Sequence, residues 1–179
     1  MKKIGNRLID GLIFKLLRLD ISELKSNKNY YRFFYPVRYV VQSGMLVKFT
    51  IAKKLKFNEA LFIDQVDREY CSRITKQGFI ILENKKILAK HKLGIGVKIN
   101  NQIIHYEDKK RLHYITRNSA YLLKIHELPA FEYFFVMALF YRKYILVKGF
   151  KSIPSLIRLY TYATIEGFMG KLGELETNT

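Results

Sequence analysis

The sequence predicts an α/β chain in which a small mixed segment precedes a helical, basic and aromatic tail. Three observations carry this. The 179 residues, 49% hydrophobic and 15% aromatic, suffice for a buried core and argue against disorder. Between 30 and 108, short β-branched runs alternate with helical patterns. From 109 to 173 the chain reads as helices. The expected segments are an amphipathic helix and polar loop over 1–29, the α/β part over 30–108, the helical tail over 109–173, and a disordered tail over 174–179.

In order, residues 4–19 place Ile4, Leu8, Leu12 and Leu16 near one helical face, with Arg7, Asp10, Lys15 and Arg18 mostly off it. Such a helix packs on a core or a partner, or lies on an anionic membrane. A polar loop follows over 22–29. The run Val37–Val47 is β-branched and aromatic and reads as a strand, bent at Ser43-Gly44. Lys48–Lys56 is a short basic helix or turn.

Phe57–Gly78 gathers Glu59, Asp64, Asp67 and Glu69, in a chain of only 15 acidic residues against 32 basic ones. Its apolar stripe, Ile63, Val66, Tyr70 and Ile74, marks a helix that Gly78 stops, with Asp64 and Asp67 as capping acids. Phe79–Leu82 and Ile87–His91 read as short strands separated by a turn, and Gly94 and Gly96 as a flexible loop. Helices are expected over Lys109–His126, Glu132–Val147 and Pro154–Met169.

The net charge of +17 favours an anionic partner: nucleic acid, an anionic membrane surface or a phosphate-bearing substrate. A solvated basic surface is the plain alternative. Cys71 is the sole cysteine, which excludes an internal disulfide and fits a reducing compartment. Charges interrupt the N-terminal apolar residues, so no secretory signal is expected. The longest apolar run, Tyr133–Tyr141, is about half of what spans a bilayer.

Four motifs then occur in order. Phe62–Arg73 reads F-I-D-x-V-D-x-E-x-x-x-R; Tyr39–Val47 contains Ser43-Gly44; His91–Gly94 reads H-x-L-G; Arg111–Asn118 reads R-x-x-Y-x-x-R-N. Together they span about Tyr35 to Lys124, and this part resembles the C-terminal half of family 2 glycosyltransferases, the rhamnosyltransferase-like branch above all. The resemblance implies a partial A-type glycosyltransferase fold, the acceptor-side half, ahead of the helical tail. It implies transfer of a sugar from a nucleotide donor, dTDP-rhamnose foremost, to a lipid-linked glycan acceptor of surface polysaccharide such as O-antigen. Mg²⁺ or Mn²⁺ would be the cofactor. The location would be the cytoplasm, peripheral to the cytoplasmic face of the inner membrane.

Residue by residue, Asp67 matches the family's catalytic base. Inverting transfer needs a carboxylate to take the acceptor's proton, and cations to meet the leaving diphosphate. Ser43, Gly44 and Glu69 match the acceptor side, Arg73, Arg111 and Arg117 the diphosphate side, and His91 the metal position. Each has a plainer reading. Asp64 and Asp67 suit a helix N-terminus, where negative charge is favoured; Asp64 keeps that reading. Ser43-Gly44 is equally an ordinary bulge. Glu69 and Arg73, at i and i+4, suit an ion pair. His91 is equally structural, and Arg111, Tyr114 and Asn118 are equally a solvated helix face.

The family's nucleotide-binding half and its Asp-x-Asp motif have no counterpart here. The expectation is therefore a truncated enzyme whose activity alone is doubtful, with a complementing N-terminal half in trans as one possible partner. A basic, non-catalytic protein that binds nucleic acid or an anionic membrane surface is the alternative, as is a partner-binding protein.

Overall fold

A computed structural model describes residues 34–84, 95–99 and 101–175. The expected helix over 4–19, the strand Ile87–His91, and with it His91, lie outside them. The architecture is mixed α/β, with two small antiparallel sheets among the helices. The described residues fall into two compact units, one within Met1–Leu55 and Tyr70–Ala89, the other within Lys56–Glu69 and Lys90–Thr179.

In the first unit, β1 (Phe34–Val37) pairs antiparallel with β2 (Ile81–Asn84), Pro36 facing Leu82. The strand expected over Val37–Val47 ends at its first residue. Gln42 to Met45 close a turn through Met45 N–H to Gln42 O at 3.0 Å, and Gly44 adopts φ 86°. Glycine takes that conformation without steric cost, so the turn replaces the expected bend. β-branched composition makes a strand only where a partner strand is present. A short helix α1 (Phe49–Lys54) follows, with Lys53 and Lys54 in its last turn, where basic charge is favoured.

Helix α2 (Val66–Lys76) has its first turn in the second unit and the rest in the first. Tyr70, Cys71 and Ile74 are buried. Gly78 stops it as expected: it takes φ 86° and donates to Thr75 O, while Phe79 N–H reaches Ile74 O. This is the paired C-terminal capping pattern that glycine permits. The N-terminus differs from expectation. Ile63 precedes the helix and is 40% exposed rather than on its buried stripe.

The second unit holds the hairpin β3 (Ile95–Ile99) and β4 (Gln102–Tyr106), with Ile99 opposite Gln102. Gly96 is thus a strand residue rather than part of a flexible loop. Asn101 supplies the left-handed φ of 63° beside the turn, a conformation asparagine tolerates. Three helices follow: α3 (Lys109–Lys124), α4 (Ala130–Lys148) and α5 (Ile153–Met169). The sequence anticipates each to within a few residues. Asp108 caps α3 by accepting from Arg111 N–H at 2.8 Å, Pro129 precedes α4, and Gly170 ends α5 with φ 74°.

Helix α3 is the centre of this unit: all residues from Leu112 to Ala120 are buried. Its packing on α5 is close because Gly167 offers no side chain; a Cβ there would lie 2.2 Å from Arg117 O. His113 Nε2 meets Glu166 at 2.7 Å, a second tie between the two helices. Tyr133 and Met137 of α4 bury against Ile115 and Leu122 of α3. Gly173 and Leu175 are held too: Gly173 N–H donates to Ala60 O at 2.7 Å, and Leu175 N–H to the Tyr114 hydroxyl at 2.7 Å.

Candidate functional site

The segment from Leu61 to Asp67 is held in an unusual backbone shape. Phe62, Asp64 and Gln65 have φ values of 58°, 62° and 64°. Left-handed backbone costs a non-glycine residue about 1–2 kcal/mol, so surrounding contacts must impose it. The R-x-x-Y-x-x-R-N face of α3 supplies them.

Asn118, 0% exposed, donates from Nδ2 to the carbonyls of Leu61, Ile63 and Asp64 at 2.8, 2.7 and 3.0 Å. Its Oδ1 accepts from Arg117 Nε at 3.1 Å. Arg111 grips the Asp64 carboxylate with two bonds, Nε to Oδ2 and Nη2 to Oδ1, both 3.1 Å. A planar guanidinium matches a carboxylate in that way. Glu107 adds a third contact to Arg111 at 3.1 Å. The hydrogen bond to Asp64 raises the Arg111 pKa against the lowering effect of burial, aided by the Asp64 and Glu107 charges, while burial pushes the Glu107 carboxyl upward against the lowering effect of Arg111. The Tyr114 ring packs against Phe62, tilted by 39° with centroids 5.3 Å apart.

Arg117 is 2% exposed. Its guanidinium lies 5.0 Å from the Tyr114 ring centroid and donates to Gly173 O at 2.7 Å. Burial lowers its pKa, and the Glu166 charge opposes this. Of the three arginines expected to meet a diphosphate, Arg111 and Arg117 are thus engaged within the chain here. Asp64 is not a helix cap; its carboxylate serves Arg111, 47 positions away. The sequence holds no local signal for that pair.

Asp67 stands in the first turn of α2, half-buried, and its Oδ1 accepts from Arg68 N–H at 2.9 Å. Arg68 in turn pairs with Glu132 at 2.8 Å, which ties this turn to α4. Glu69 is buried, 5% exposed, in the same unit. Ser43, Gly44 and Arg73 belong to the other unit. Ser43 and Gly44 are exposed turn residues, and Arg73 lies over the Tyr70 ring at 5.6 Å.

For a divalent cation, the described residues offer no group of three His, Cys, Asp or Glu side chains. Both Asp64 oxygens, three positions before Asp67, accept from Arg111. A cleft of about 650 Å³ is lined by Lys109, His113, Arg158 and Tyr162 among others. Its two cations suit an anionic group such as a phosphate. No protein-family model, no curated protein and no solved structure matches this chain.

Proposed function

We propose that this chain forms the acceptor-side part of a nucleotide-sugar-dependent glycosyltransferase, rhamnosyltransferase-like, with Asp67 as the base. A partial A-type glycosyltransferase fold is part of the same reading. One observation supports it above others. Two motifs of the resemblance, Phe62–Arg73 and Arg111–Asn118, meet through four side-chain hydrogen bonds of Asn118 and Arg111 to Ile63 and Asp64. One motif thereby fixes the backbone from which the other's Asp67 projects.

On this reading, Asp67 accepts the proton of the acceptor hydroxyl as it attacks the anomeric carbon. Proximity is the main contribution of the fixed loop, because a misplaced base loses rate steeply. The Lys109–Arg158 cleft supports a phosphate-bearing, lipid-linked acceptor. The donor contacts would come from a nucleotide-binding half. Mg²⁺ or Mn²⁺, if used, would help to neutralise the leaving diphosphate, and the described residues do not assemble its ligands.

The test combines the chain with the nucleotide-binding half of a complete family member, fused or as a separate chain. Transfer from dTDP-rhamnose to a lipid-linked glycan is measured with Mg²⁺ or Mn²⁺. Transfer is expected, and Asp67→Asn should abolish it with an unchanged circular-dichroism spectrum. Full transfer by Asp67→Asn removes Asp67 from the role. No transfer from any nucleotide sugar, with no binding of the acceptor, overturns the reading.

A further inference from the structure

We propose that the outer face of α4 docks on the surface of an anionic phospholipid bilayer. Helix α4 carries apolar residues on every side, a pattern that belongs to a buried or a membrane-bound helix. Its inner face is accounted for: Tyr133, Met137 and Tyr144 are buried against the rest of the unit. Its outer face is not. Phe131, Phe134 and Phe135 are 78%, 60% and 55% exposed, and Leu139 and Leu146 are 39% and 49% exposed. These positions recur at helical spacing, so they form one stripe about 22 Å long. Phe150, 80% exposed, lies just beyond the helix's C-terminal end.

The charge around the stripe selects the occupant. Between 130 and 173 the acids are Glu132 and Glu166, and both are paired inside the unit, with Arg68 and with His113. The basic residues of the same stretch are all exposed, Arg142 and Lys143 among them on α4, while Lys148 lies over the Tyr106 ring. Arg142 falls within the apolar stripe, and Lys143 lies beside it at the spacing of a helix. Aromatic residues that reach the acyl boundary and cations that meet headgroup phosphates are the two attractions of an interfacial helix. No helix among the described residues is long and apolar enough to cross a membrane, so α4 lies on the bilayer. Helix α5 repeats the pattern with exposed Ile157, Arg158, Ile165 and Phe168. A double-stranded nucleic acid would use the cations and leave three exposed phenylalanines of α4 without a role. This inference does not rest on glycosyl transfer.

The test is co-sedimentation of the full chain with vesicles of phosphatidylcholine alone and with about one third phosphatidylglycerol, at low and high salt. The chain should bind the anionic vesicles, with loss of binding at high salt. The double variant Phe131→Ser, Phe135→Ser should bind at least tenfold more weakly, and Arg142→Gln with Lys143→Gln about fivefold more weakly per charge. Ile103→Ser, at an exposed apolar position on β4 (66% exposed), should leave binding unchanged. Equal affinity for the two vesicle types, or wild-type binding by the phenylalanine variant, overturns the proposal. So does RNA binding without vesicle binding, or a dimer that the phenylalanine variant splits.

Discussion

Replacing Asn118 probes the contact on which the candidate site depends. Its Nδ2 serves three carbonyls and its Oδ1 serves Arg117, all in a fully buried position. Two hydrogens cannot make three full bonds, so one is shared. A neutral hydrogen bond contributes about 0.5–1.5 kcal/mol net, and one to a charged group about 1.5–3. Asn118→Ala therefore loses about 4 kcal/mol gross. The released loop can leave its left-handed conformations, each costing about 1–2 kcal/mol, which returns part of the loss. A net destabilisation of about 2–3 kcal/mol is expected. At roughly 3 °C per kcal/mol for a chain of this size, the melting temperature should fall by about 6–9 °C. Asn118→Asp should be worse, because its second oxygen would face three carbonyls. Circular dichroism gives the melting temperature, and hydrogen exchange read by mass spectrometry gives protection across residues 61–66. Unchanged protection there, with less than about 0.5 kcal/mol lost, would refute the claim that Asn118 holds the loop.

Gly167→Ala should destabilise the second unit by about 3 kcal/mol, because its Cβ meets the Arg117 carbonyl at 2.2 Å and the helices must separate; a urea titration at wild-type midpoint would disprove it. Stability should hold up to about pH 10 and then fall. Burial pushes Tyr141 up to about 12 and raises Tyr133 as well. Both are protonated in either state below their ordinary pKa. Above it the unfolded chain gives up its protons first, which lowers stability by up to about 1.4 kcal/mol per pH unit for each tyrosine. Denaturant titrations between pH 8 and 12 check this, and a flat profile would contradict it. Lys109→Ala with Arg158→Ala should weaken pyrophosphate binding to the cleft at least tenfold by calorimetry, with no loss of melting temperature; unchanged binding would remove the cleft as an anion site.

Much of the helical tail was legible. The 3.6-residue period and the Pro129 and Gly78 signals act over a few residues, so local sequence carries them. Gly167 shows the limit of such reading. It sits inside a helical pattern where propensity counts it only as weak, and its use is visible only beside Arg117. The strand expected over Val37–Val47 failed for a related reason. Its composition suits a sheet, yet the ladder needs a partner, and among the described residues β2 pairs only with Phe34–Val37. The β3–β4 hairpin was missed because Gly94 and Gly96 read as a loop, whereas the alternation of Ile95, Val97 and Ile99 was the better signal.

By itself the sequence determined the basic charge, the three tail helices, the stop at Gly78 and the motifs that carry the resemblance. Those properties are composition and short-range pattern. Only the tertiary structure decided what the motif residues do to one another. Asp64 became a partner of Arg111 rather than a cap, Asn118 became the clamp of the Leu61–Asp64 backbone, and Arg117 turned inward to Gly173. It also decided that α4 keeps a row of phenylalanines in solvent. Such outcomes depend on which side chains meet across dozens of residues, and chain order alone does not encode that meeting.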